Sequence, residues 1–214
     1  MNTEGYTTKK YSSITLKKKN SRFVVIPAMK RTDLAKLFTK LDFKVGAEIG
    51  VMRGKYSEVL CKSNPGVKLY AIDAWEDYSD FTDFNRYPNV AKILSEMYEQ
   101  TVRRLALFNC EIIKKTSMEA VKDFKDGSLD FVYIDANHRY EYVLEDIDAW
   151  TKKVRKGGIV AGHDFNEGMS RLQNGVVQAI KDYIHSSKIP YVYVLGKRWS
   201  RQRDENRSWF FIKQ

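Results

Sequence analysis

The chain has 214 residues, enough for a well-buried core, with 43% hydrophobic and 30% charged residues, an ordinary balance for a globular protein. No stretch approaches the roughly 20 apolar residues of a membrane span, and two cysteines without a CxxC pairing argue against a disulfide scaffold or a zinc ribbon and suit a reducing, cytoplasmic setting. The net charge of +10 sits at the ends: residues 1–31 sum to +7 and residues 197–214 to +4, leaving −1 for the body between them.

Residues 1–20 lack apolar periodicity and cluster Lys with Ser and Thr, which predicts a flexible basic arm ahead of a single domain over 21–214. Leu34, Leu37, Phe38 and Leu41 fall at helical spacing, with Thr32 or Asp33 as the cap. KVGAEIGV reads as the first buried strand, GKYSEVLCK as a helix stopped by Asn64-Pro65-Gly66, and VKLYAID as the second strand. Residues 75–88 carry aromatics and acids without a period and predict a loop or lid. A helix over 89–107, the strand CEIIKK, a short helix SMEAVKDF and the β-prone run DGSLDFVYIDA follow. YEYVLEDIDAWTKKV predicts a helix with Trp150 in the core, closed by Lys156-Gly157-Gly158 before the strand GIVAGHDF. GVVQAIKDYIHSS is amphipathic with His185 on its outer side, and YVYVLG and SWFFIK form a closing hairpin across the basic loop KRWSRQRDENR.

This alternation predicts an α/β fold, Rossmann-like and doubly wound, with a mostly parallel seven-stranded sheet, an antiparallel last strand and helices on both faces. A ligand of such a sheet belongs at the carboxyl ends of the strands near the switch in strand order. That rim collects Glu48–Gly54, Asp73, Asp135–His138 and Gly162–Asp164. In Glu48-Ile49-Gly50-Val51-Met52-Arg53-Gly54 the glycines permit a tight turn and close backbone approach; this is a two-glycine pattern, unlike the three-glycine dinucleotide fingerprint. Asp73 closes the second strand at the distance where a carboxylate can accept ribose hydroxyls.

The joint pattern of Asp130-Phe131-Val132-Tyr133-Ile134-Asp135-Ala136-Asn137-His138-Arg139-Tyr140-Glu141 with Gly157-Gly158-Ile159-Val160-Ala161-Gly162-His163-Asp164-Phe165 resembles class I S-adenosylmethionine-dependent methyltransferases. Within them it is similar to the branch of macrolide and other sugar O-methyltransferases, over roughly residues 40–214. The resemblance implies S-adenosyl-L-methionine as cofactor, with the backbone around Gly50, Met52 and Gly54 on the methionine moiety and Glu48 beneath it. It implies Asp73 on the ribose with Trp75 close by, Ser117 and Met118 beside the adenine, and Asp135 near the amino group and sulfonium.

Methyl transfer needs an acceptor oxygen placed near the methyl and relieved of its proton. His138 and His163, two of three histidines, stand on the rim as candidate bases, with Asp135 and Asp164 to orient them or to bind Mg2+. The expectation is O-methylation of a hydroxyl on a sugar, glycan or natural-product-like small molecule. The rivals are an RNA methyltransferase that uses the basic arm to hold nucleic acid, and a non-catalytic cofactor- or carbohydrate-binding module.

Overall fold

The computed structural model describes residues 22–77, 88–167, 175–196 and 207–214. The predicted basic arm, most of the predicted lid and the basic loop before the last strand lie outside the described residues. In chain order the elements are β1 (Phe23–Ile26), α1 (Arg31–Lys40), β2 (Val45–Ile49), α2 (Lys55–Ser63), β3 (Lys68–Asp73), α3 (Val90–Leu105), β4 (Cys110–Lys114) and α4 (Ser117–Ala120). A 3-10 turn at Val121–Asp123 leads to β5 (Leu129–Ile134), α5 (Tyr140–Lys153), β6 (Val154–Gly162), α6 (Val176–Ser186), β7 (Val192–Leu195) and β8 (Ser208–Ile212).

The strands make one sheet in the order β1-β7-β8-β6-β5-β2-β3-β4. Only β8 runs against the others, antiparallel to both β6 and β7. The sheet thus has eight strands where seven were predicted. The extra one, Phe23–Ile26, pairs in parallel with Val192–Leu195. Four apolar residues after a basic stretch carry no strand period of their own, and their partner lies at the far end of the chain.

Side-chain alternation explains why the central strands read as continuous apolar runs: both faces are covered. Val132 and Ile134 of β5, Val160 of β6, Val194 of β7 and Phe211 of β8 pack with α5 and α6. Phe131, Tyr133, Ile159, Ala161, Tyr193 and Phe210 point the other way, onto α1 and α2. Trp150 is fully buried, as its spacing predicted, and His185 is exposed. Gly46 is glycine because the Phe131 ring lies 2.2 Å from where its Cβ would stand.

One predicted boundary moves. Helix α5 ends at Lys153 and β6 begins at once with Val154, which pairs with Leu129. The register then shifts before Ile159 pairs with Phe131. Gly157, at φ +72°, turns the chain inside this irregularity, so Lys156-Gly157-Gly158 interrupts a strand and does not close a helix.

Candidate functional site

Strand order reverses between β2 and β5: β3 and β4 extend one way, β6 and β8 the other. At the carboxyl ends lies a cleft of about 480 Å³, a volume suited to a nucleoside-sized ligand. Its floor is the β2–α2 loop, which is laced to both neighbouring strands. Gly50 N donates to Ile72 O (2.9 Å), Asp135 N donates to Ile49 O (2.7 Å), and His163 N donates to Ile134 O (3.1 Å).

Gly50 has φ +86°, and a Cβ there would sit 2.1 Å from the Asp135 carbonyl oxygen. The close approach that requires glycine is therefore to the end of β5, not directly to a ligand. Met52 (φ 51°), Trp75 (φ 44°) and Asp164 (φ 56°) are non-glycine residues in left-handed backbone around the same cleft. Such conformations persist where the surroundings over-determine them. Here the fixings are visible: the Trp75 indole Nε1 (2.7 Å) and the Thr101 hydroxyl (2.9 Å) both donate to the Met52 carbonyl. Gly54, at φ +68°, precedes α2 as its N-cap behind the cleft wall.

Asp73 lines the cleft, and its carboxylate holds the loop. One oxygen accepts from Val51 N and Met52 N at 2.8 Å each, and the other from Trp75 N at 3.0 Å. A carboxylate offers about four acceptor positions, so about one remains for a ribose hydroxyl. The expected grip on the ribose is narrowed to that position, and Asp73 gains the role of loop anchor.

Glu48 lies buried at the base, where the Ser57 hydroxyl donates to it. Burial pushes its carboxyl well above the usual carboxylate range, against the opposing pull of the Ser57 hydrogen bond. Trp75, Leu94, Met97 and Val51 make an apolar wall. Ser117 and Met118 were expected beside an adenine, but neither lines the cleft, whereas Thr116 does. The Ser117 hydroxyl donates to Asp146 and accepts from Trp150 Nε1 (2.8 Å), and Met118 packs against the core.

Asp135, His138, His163 and Asp164 meet on the opposite rim. His138 Nε2 is 2.8 Å from Asp164 Oδ2 and 3.6 Å from Asp135 Oδ1. His163 Nδ1 is 3.5 Å from Asp164 Oδ2 and 3.7 Å from Asp135 Oδ2. Burial alone would lower the His138 pKa, but the facing carboxylates of Asp135 and Asp164 outweigh that and push it up to about 10. The same pairing holds Asp164 well below the usual range, over the upward effect of burial. His163 Nε2 is buried and has no hydrogen-bond partner among the described residues.

Donor atoms of Asp135, His138 and Asp164 lie within 4.8 Å of one another. The set does not fit Mg2+, which takes oxygen ligands in near-octahedral geometry. Its third member is an imidazole nitrogen, 2.8 Å from Asp164 Oδ2. Sequence reasoning missed the cations Arg31, Arg53 and Lys55, which also line the cleft. Arg31 and Lys55 begin α1 and α2, and a cation at a helix N-terminus, where acids are favoured, is the signal that could have found them.

A family model described as "Methyltransferase domain" matches residues 47–165. Over 123 residues the chain is 23% identical to the uncharacterized protein y4gI of Sinorhizobium fredii (strain NBRC 101917 / NGR234), a match covering 56% of this chain and 12% of that protein. The chain therefore spans about an eighth of that relative's length. Among solved structures it is similar to the O-methyltransferase TomG of Streptomyces achromogenes, involved in tomaymycin synthesis and solved in complex with SAM. That likeness has TM-score 0.58 at 13% identity, over 99% of this chain and 90% of TomG. Spermidine synthase of Thermotoga maritima also gives TM-score 0.58, at 15% identity, over 86% of this chain and 60% of that one. Likenesses at such identity show the fold.

Proposed function

The chain belongs to the methyltransferase-domain family, and from that premise we propose that it transfers the methyl group of S-adenosylmethionine to a hydroxyl oxygen of a small molecule of the sugar, glycan or natural-product kind. TomG, an O-methyltransferase of this fold solved with SAM, supports the donor and the oxygen acceptor. Spermidine synthase shares the fold, so the fold alone does not choose the reaction. The observation that carries the reading is that one cleft unites a buried Glu48 and a pinned glycine loop at its base with the histidine–aspartate cluster on its rim.

When bound, S-adenosylmethionine supplies a methyl already activated by a sulfonium, so the protein's tasks are placement and proton removal. Glu48 would face the donor's ammonium, the Val51–Trp75–Leu94–Met97 wall would cover the adenine, and Asp73 would offer its remaining acceptor position to the ribose. His163 takes the acceptor's proton, with its Nδ1 facing Asp164 and Asp135 on the rim. His138, paired with Asp164 at 2.8 Å, already carries its proton at neutral pH and acts as a fixed countercharge that holds Asp164 in place.

Calorimetry with S-adenosylhomocysteine and a methyl-transfer screen over hydroxylated small molecules test this directly. His163→Gln should lower kcat roughly 100-fold or more and change S-adenosylhomocysteine affinity less than about two-fold. A parent that binds neither S-adenosylmethionine nor its demethylated product refutes the reading.

A further inference from the structure

The cations lining the cleft are not matched one to one by carboxylate partners. Among its acids, Asp73 accepts three backbone N–H groups, Glu76 pairs with Lys114 at 3.4 Å, and Asp135 and Asp164 face His138 and His163. Glu48 is buried and shifted toward its neutral form. Arg31, Arg53 and Lys55 line the same cleft, and among the described residues no carboxylate forms an ion pair with any of them. The nearby acid Glu58 is already shared between Arg104 (2.5 Å) and Lys62 (2.7 Å). Arg31 lies over the Tyr56 ring, 5.2 Å from its centroid, which steers the guanidinium without neutralising it.

Their placement sharpens the mismatch. Arg31 and Lys55 occupy the first positions of α1 and α2, where the helix dipole disfavours cations and exposed backbone N–H groups favour an anion. S-adenosylmethionine does not supply the missing partners: its tail brings one carboxylate, while its ammonium and sulfonium add two positive charges. At least two of the three cations therefore keep no carboxylate partner of their own when the donor is bound. A group of cations without ion-pair partners on a low-dielectric wall draws anions to that wall.

We propose that the methyl acceptor carries an anionic group, a phosphate or a carboxylate, held by Arg31, Arg53 and Lys55 while its hydroxyl lies at the His163 rim of the cleft. This rests on the methyltransferase reading above and names the substrate class of that site. Arg31 and Arg53 offer planar, fork-shaped donors suited to either oxyanion, and Lys55 adds a mobile point charge.

The test uses the full chain saturated with S-adenosylhomocysteine and titrated, at constant ionic strength, with pyrophosphate in one arm and malonate in the other. Binding of at least one probe is expected, and the tighter one identifies the acceptor's anion as phosphate or carboxylate. The double variant Arg53→Gln/Lys55→Gln, kept saturated with S-adenosylhomocysteine, should bind that probe at least about tenfold more weakly. Lys122→Gln/Lys125→Gln, an equal loss of charge at exposed positions away from the cleft, should bind it as the parent does. No probe binding by the saturated parent, displacement of S-adenosylhomocysteine by the probe, or equal weakening in both double variants overturns the proposal. Failure of S-adenosylhomocysteine to bind the parent at all is a separate result, and it overturns the methyltransferase reading itself.

Discussion

Asp146 is a buried carboxyl on α5 that accepts from the Ser117 hydroxyl, which itself accepts from Trp150 Nε1. Burial, opposed by the Ser117 hydrogen bond and reinforced by Glu145, raises its pKa from 3.8 to about 7. The folded chain therefore holds a proton that the unfolded chain releases, and stability falls as pH rises from about 4 to about 7, then levels off. At 1.36 kcal/mol per pH unit, the part of this loss between about pH 5 and about pH 8 is about 3 kcal/mol. Asp146→Asn removes the titration and keeps an oxygen that accepts from Ser117. Measured by urea unfolding, the variant's stability relative to the parent should rise by about 3 kcal/mol from about pH 5 to about pH 8. In thermal melts the same gain is roughly 6–12 °C for a chain of this size. Affinity for S-adenosylhomocysteine should not change, because Thr116, and not the Ser117 hydroxyl, faces the cleft. Parallel pH profiles for parent and variant, within about 0.5 kcal/mol, refute the argument that burial sets the Asp146 charge.

Three further expectations follow from the cleft. Gly50→Ala drives a Cβ to 2.1 Å from the Asp135 carbonyl at φ +86°; donor affinity by calorimetry should fall beyond detection, with a loss of a few kcal/mol of stability. Burial favours the protonated form of Glu48, and the donor's ammonium favours its ionised form. Donor binding should therefore release protons, read as a dependence of the apparent enthalpy on the buffer's ionisation enthalpy, and Glu48→Gln should weaken that dependence. Chelation by EDTA or addition of Mg2+ should alter turnover less than about two-fold, because His138 stands as an imidazolium between the would-be ligands Asp135 and Asp164. Strict magnesium dependence of turnover is the contrary outcome.

Within one strand and the turn after it, the sequence was a good guide. Apolar alternation, turn residues and helical spacing located β2 to β8 and the helices between them, because these signals arise from local backbone geometry and burial of a whole face. The rim segments Asp135–His138 and His163–Asp164 were legible for the same reason: a parallel α/β sheet puts strand carboxyl ends on one side whatever the strand order. They do meet, with His138 and Asp164 2.8 Å apart.

What the sequence alone determined is thus the inventory of elements and the side of the sheet that carries the chemistry. Tertiary structure alone decided the partners. It gave Phe23–Ile26 a strand by setting it beside Val192–Leu195, turned most of Asp73 toward the loop amides, drew Ser117 back to Asp146, and brought Arg31 from the start of α1 into a cleft formed by later strands. The physical reason is range. Periodicity and turn chemistry act over a few residues, whereas hydrogen-bond partners, burial and uncompensated charge depend on which distant segments the sheet order makes neighbours.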